Sequence, residues 1–286
     1  MDPSRTAQLA AAHRAYHFLH DHPAVLEDSA AIWLLNPQLS TILRVAPLRW
    51  LFWRPLLDKV RPISAFIAVR SRFAEDILES RIRGGCRQYM ILGAGLDSWA
   101  VRHADSAVTV YELDHPATQQ GKQERILDRM GALPPNLRMI PIDFERESIA
   151  DVLPGTGYDA GAEVFVSWLG TICYLTREAI TKTFESLAGM CAPGSRTVFD
   201  YFLPKSVMSS ADRQLIETLD AGGTRRGEPM QTLLNAEDMA DILHAAGFRV
   251  VEDLSADAIR SRYLAQRSDG IDIPDFVRLC CAERTV

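Results

Sequence analysis

The chain is predicted to be an α/β protein built on a mostly parallel sheet, and three observations predict it. Short β-rich runs fall at 88–92, 107–112, 137–142, 162–167 and 195–201. Helical patterns such as REAITKTFESLAGM lie between them, and strands alternating with helices imply parallel pairing. The first two runs are joined by a glycine turn within YMILGAGLDSWAVRHADSAVTVYELDHP, Tyr89 to Pro116.

Taken in order, residues 1–63 read as a helical, proline-interrupted extension, and residues 64–286 as the domain proper. In the extension, HRAYHFLHDH reads as a solvated helix ending before Pro23. His13, His17 and His20 share one face of it with His22 nearby, but no cysteine or patterned carboxylate completes a metal site. TILRVAPLRWLFWRPLL is the most apolar segment. It is broken by Arg44, Arg49, Arg54 and two prolines, whereas a membrane span needs about 20 apolar residues in a row. It suits a lid over a greasy substrate, with Trp50, Phe52 and Trp53 closing the pocket, or contact with a membrane surface. Residues 64–82 form a helix ahead of the first strand. Near the end, Asn235 with Asp238 three residues on marks a helix start and Gly247 its stop. FRVVEDL and DFVRLCCAE then supply two more strands.

With 286 residues, 47% of them apolar, the chain can fill one enlarged core. There is no repeat, low-complexity tract or Gly/Ser linker. The net charge of −6 comes from 31 basic and 37 acidic side chains spread along the chain, so no field favours nucleic acid. Cys86, Cys173, Cys191, Cys280 and Cys281 make neither a CxxC pair nor an even set, and the first residues hold no uninterrupted apolar signal core. A cytoplasmic protein is expected. Nothing in the pattern fixes an oligomeric state.

The glycine turn narrows the ligand. Gly93 and Gly95 let the backbone turn tightly and approach a ligand, and the short helix that follows offers free N–H groups. A dinucleotide fold wants a third glycine where Ser98 stands. Asp97 would repel a pyrophosphate yet attract a cationic amino group, which S-adenosylmethionine carries. Asp114 lies nineteen residues after Gly95, the separation at which an acid on the neighbouring strand holds ribose hydroxyls. NAD would accept the same acid.

In VRSRFAEDIL, LGAGLDS, YELDHP, IDFE, SWLGTICYLT, FDY, GEP and AAGFRVVEDL, in this order, the chain resembles the leucine carboxyl methyltransferase family, in particular its bacterial branch of polyketide-type O-methyltransferases. The resemblance implies a Rossmann-like class I methyltransferase fold with a seven-stranded sheet, its last strand antiparallel, and S-adenosylmethionine as methyl donor. It implies that Arg70 pairs with the methionine carboxylate; the alternative reading for Arg70 and Arg72 is a solvated helix face. Gly93 and Gly95 line the cofactor's turn, Asp114 holds the ribose, Asp143 accepts from the adenine amino group, and Phe144 lies beside the ring. Trp168 and Leu169 occupy the next cofactor contact, where many members have Glu in place of Leu169. At Asp28 the family's Asp-Pro-x-Ala is replaced by DSA. Tyr174, Tyr201 and Glu228 stand in the motifs that build the acceptor pocket. The acceptor implied is a small, apolar or aromatic polyketide-like molecule, methylated on a carboxylate or hydroxyl oxygen. Methylation at carbon, and a nicotinamide-dependent oxidoreductase, are the alternatives.

Overall fold

The computed structural model describes residues 5–144 and 146–285. Its centre is a seven-stranded sheet of β1 (Gln88–Leu92), β2 (Thr109–Asp114), β3 (Leu137–Pro141), β4 (Val164–Trp168), β5 (Arg196–Phe202), β6 (Phe248–Leu254) and β7 (Val277–Arg284). The order is β3-β2-β1-β4-β5-β7-β6. β1 to β5 pair in parallel, while β7 runs antiparallel to both β5 and β6. Strand order reverses between β1 and β4. A crevice opens at such a point, outside the carboxyl ends of the strands.

β1 and β4 are buried at every position because helices cover both faces, which is why QYMIL and VFVSW read as unbroken apolar runs. Successive side chains still alternate between faces. Tyr89, Ile91, Phe165, Val198 and Phe202 pack on one side of the sheet, and Met90, Leu92, Val166, Trp168, Phe199 and Tyr201 on the other.

The helices are α1 (Arg5–His20), α2 (Ala31–Leu34), α3 (Pro37–Arg44), α4 (Ala46–Leu48), α5 (Arg54–Arg83), α6 (Trp99–Arg102), α7 (Pro116–Met130), α8 (Ile149–Val152), α9 (Arg177–Met190), α10 (Ser210–Thr224), α11 (Ala236–Ala245) and α12 (Ala256–Tyr263). A π-helical turn, Arg49–Trp53, joins α4 to α5. The predicted start of α11 is borne out: the Asn235 side chain accepts from the Asp238 N–H at 2.7 Å, and Gly247 follows with φ +78°.

Two expectations about the extension are corrected. The helix over HRAYHFLHDH is not solvated, because α1 buries Ala11, Ala12, His13, Arg14, Ala15 and His17 against α5. The boundary at 63/64 falls inside α5, which runs through with a kink at Val60 (φ −129°, ψ 20°) and Pro62. A buried ionic knot ties the two parts together. Arg14 Nε donates to Asp28 Oδ2 at 2.8 Å and its Nη2 to the Leu96 carbonyl at 2.6 Å, while Arg102 approaches Asp28 at 3.6 Å. Burial would raise the Asp28 carboxyl, but the two guanidiniums hold it below the usual range. Asp28 Oδ1 also accepts from the Ala31 N–H at 2.9 Å, at the start of α2.

Candidate active site

Two cavities meet above the crevice between β1 and β4. The first, of about 280 Å³, is a carboxylate-bearing cleft lined by the glycine turn, by Asp97 and Asp114, and by Ser167, Thr171 and Glu228. The second, of about 310 Å³, is apolar, lined by residues such as Leu9, Ile63, Phe66, Ile67 and Phe202, with Lys59, Arg225 and Arg226 also on its walls. Thr6, Ala10, Arg70, Gly170 and Tyr174 belong to both walls.

The cleft owes its shape to left-handed glycines. Gly93 and Gly95 have φ +65° and +53°, a region where a side chain is strained. A Cβ at Gly95 would lie 3.0 Å from the Ala7 Cβ, and one at Gly93 3.2 Å from Thr171 Oγ1. Helix α1 therefore covers the turn directly, a contribution to the cleft that the sequence reading did not foresee. Thr6 fixes its start by donating to Glu228 and accepting from Arg226 Nε at 3.1 Å.

Asp114 closes the far wall. Its carboxylate accepts from the Gly95 N–H at 2.5 Å and the His115 N–H at 2.6 Å, and burial raises its pKa despite those bonds. Two oxygens with about four lone-pair directions still have capacity for hydroxyl donors. Asp97 accepts from the Trp99 N–H at 2.8 Å, which fixes its carboxylate at the start of α6. With Glu228, the cleft collects three carboxylates around a backbone turn. That set repels a pyrophosphate and suits a cationic, hydroxyl-rich ligand such as S-adenosylmethionine.

Arg70 stands between the cavities. Its Nη1 lies 3.2 Å from Asp200 Oδ2, and Asp200 Oδ1 accepts from the Gly170 N–H at 2.6 Å. Gly170 has φ +70°, and a Cβ there would overlap the Arg70 guanidinium. Arg72, one helical step away, pairs with Asp76 at 2.7 Å on the surface.

The structure brings Arg70, Gly93, Gly95, Asp97, Asp114, Leu169, Tyr174 and Glu228 to the cleft. It does not bring Trp168 or Tyr201 to either cavity. Trp168 packs edge-on against Phe184, and the Tyr201 hydroxyl donates to Asp253 at 2.7 Å. Both face the α9 side of the sheet, whereas their neighbours Ser167 and Asp200 face α5, since parity along a strand decides the face. Asp143 and Phe144 lie on the loop after β3 and line neither cavity. Phe144 is exposed, and Asp143 Oδ2 is 3.6 Å from Arg146. The loop leaves β3 beside Asp114, whose carbonyl accepts from the Ile142 N–H at 3.0 Å.

Sequence reasoning missed Asp200, Ser167, Thr171, Arg14 and the α1 residues; for the first two, strand parity was the available signal. It also misplaced the aromatic cluster. Trp53 is buried and packs on His13 with ring centroids 5.0 Å apart, but Trp50 and Phe52 point to solvent and cover no pocket. His13 lines the apolar cavity, bonded to Ser64 Oγ at 2.9 Å. Burial, helped by Arg70, pushes its pKa down to about 4, so the imidazole is neutral. Burial likewise raises the Tyr174 hydroxyl, and pushes the Cys173 thiol up to about 12. Among the described residues no cluster of His, Cys, Asp or Glu could hold a metal ion, and all five cysteines are unpaired and buried.

A family model described as leucine carboxyl methyltransferase matches residues 7–188. A Bacillus subtilis protein named "Putative S-adenosyl-L-methionine-dependent methyltransferase YktD" is 28% identical over 94% of each chain. A Mycobacterium marinum protein, "Putative S-adenosyl-L-methionine-dependent methyltransferase", is 32% identical over 75% of this chain and 70% of its own. Among solved structures, a DUF574 family protein from Streptomyces avermitilis superposes with a TM-score of 0.60 at 13% identity, covering 96% of this chain and 97% of that one.

Proposed function

The chain belongs to the leucine carboxyl methyltransferase family, and from that premise we propose that this S-adenosylmethionine-dependent methyltransferase methylates an oxygen of a small, apolar or aromatic, polyketide-like metabolite. The observation that carries the reading is the pair of cavities, one carboxylate-bearing, one more apolar, sharing a wall at Arg70, Gly170 and Tyr174. A donor and an acceptor held on either side of that wall are kept adjacent, and adjacency is most of what a bimolecular transfer needs.

When bound, S-adenosylmethionine supplies an electrophilic methyl group on a sulfonium. Asp114 accepts from its ribose hydroxyls, and Arg70 offers its fork to the methionine carboxylate while Asp200 holds the guanidinium in place. Asp97 and Glu228 balance the cationic end. Asp143 and Phe144, just past β3, take the adenine, and Leu169 packs without the polar contact that many relatives place there. Tyr174, kept protonated by burial, is a donor rather than a base, and orients the acceptor oxygen. His13 lies in the acceptor wall, but a pKa pushed down to about 4 makes its neutral imidazole a weak proton acceptor, so it is not assigned as a base. A carboxylate acceptor would need no base. Helix α1 and the first turns of α5 act as the lid that excludes water from both cavities. The five unpaired cysteines fit a cytoplasmic location.

The test is turnover of methyl-labelled S-adenosylmethionine against a panel of aromatic carboxylic acids, phenols and enols. NMR of the product separates an O-methyl from a C-methyl group. Label transferred to carbon alone would reject the oxygen assignment, and no transfer despite tight S-adenosylhomocysteine binding would reject the acceptor class.

A further inference from the structure

Five large apolar side chains stand in solvent along one stretch: Val45, Trp50, Leu51, Phe52 and Leu56, exposed by 41%, 65%, 56%, 57% and 39%. Single exposed apolar residues need no explanation, but a contiguous run of this size marks an interaction site. The π-helical turn Arg49–Trp53 produces it. Trp53 is turned into the core while the three residues before it face outward, and such turns recur at functional sites.

The charge around this run opposes that of the molecule. Arg44, Arg49, Arg54, Lys59 and Arg61 are interleaved with it in sequence, five cations facing Asp58 and, through Arg61 at 3.8 Å, Asp21, in a chain whose net charge is −6. Arginines among tryptophan, phenylalanine and leucine suit a surface lying in the headgroup region of an anionic bilayer, where apolar burial and attraction to lipid phosphates add. A second copy of the chain fits poorly, because a two-fold contact through this face sets arginine against arginine. Among the described residues no helix is long and apolar enough to cross a membrane, so the contact is with a surface. The patch is also continuous with the apolar cavity, since Leu56 and Lys59 line both. The geometry points to an anionic phospholipid bilayer as the partner of the Val45–Leu56 face, with the mouth of the acceptor cavity held at the membrane so that an apolar acceptor passes from lipid into it. Only the delivery role rests on the methyl-transfer reading; the membrane contact stands without it.

The experiment sediments the full-length protein with vesicles of phosphatidylcholine alone and of phosphatidylcholine with about one third phosphatidylglycerol, at roughly 0.05 M and 0.5 M salt. The protein is expected to pellet with the mixed vesicles, severalfold less at the higher salt and least with phosphatidylcholine alone. The double variant Trp50→Ser/Phe52→Ser should lose about tenfold or more in partitioning, with its S-adenosylhomocysteine affinity by calorimetry unchanged. Equal pelleting of wild type and variant, or no pelleting with the mixed vesicles, overturns the proposal. Light scattering that finds a wild-type dimer abolished by the same double variant would overturn it too, by giving the face to a second copy.

Discussion

The cleft and the apolar cavity share a wall, but they are built on different principles. The cleft hangs mainly on the carboxyl ends of β1, β2 and β4, where the glycine turn and Asp114 are fixed by sheet hydrogen bonds such as Gly93 N–H to the Leu113 carbonyl at 2.9 Å. The apolar cavity is assembled from α1, α5, α10 and the segment around Cys173, which come together mainly through side-chain packing and side-chain bonds such as His13 to Ser64. The difference teaches where change is tolerated. A site fixed by backbone bonds keeps its geometry when side chains drift, whereas a site made by packed helices changes volume with every substitution. One side can hold a constant donor while the other is free to follow a new acceptor.

The largest expected effect tests whether the packed side is the acid-sensitive one. His13 has a folded pKa of about 4 against the usual 6.5. The unfolded chain takes up a proton near 6.5 that the folded chain refuses until about 4, so stability is lost as pH falls through that window. The loss approaches roughly 3 kcal/mol at its lower end. Urea unfolding of wild type and His13→Gln at pH 7 and near pH 4 should show the acid loss reduced by that amount in the variant. Parallel losses would remove the contrast.

Asp114→Ala sharpens it from the other side. Removing a charged hydrogen-bond acceptor costs about 1.5–3 kcal/mol, or about tenfold to a hundredfold in S-adenosylhomocysteine affinity by calorimetry. The acceptor KM at saturating cofactor should not move. The smallest effect is expected from Leu219→Ala in the apolar cavity. A shortened side chain there should raise the acceptor KM severalfold, about 1 kcal/mol, and leave S-adenosylhomocysteine affinity as it was. A variant that changed both constants together would mean that the two cavities behave as one.

The same division decides what could be read from the amino acids. The glycine pair, Asp114 and the helix start at Asn235 are local patterns whose physics acts over a few residues, and each stands where expected. Trp168 and Tyr201 were misread because a motif names a strand and not its face. Counting by twos from Phe165 along β4 and from Val198 along β5 puts Ser167 and Asp200 toward α5 and their aromatic neighbours away from it. The fate of the extension was not legible at all. Whether HRAYHFLHDH is wet or buried depends on α5 lying along it, and on Asp28 finding Arg14 and Arg102 across the fold. Nothing within either segment announces that meeting.

The glycine at 170 has a consequence for anyone who diversifies this protein in the laboratory. Its left-handed backbone and the guanidinium lying over it couple positions 70 and 170: a side chain introduced at 170 must push the Arg70 guanidinium aside, even though the codon for arginine is untouched. A library that randomises the apolar cavity and treats position 170 as just another lining residue would therefore score a displaced Arg70 as a failure of cavity fit. Randomising 70 and 170 jointly, or freezing both, keeps the two kinds of failure apart.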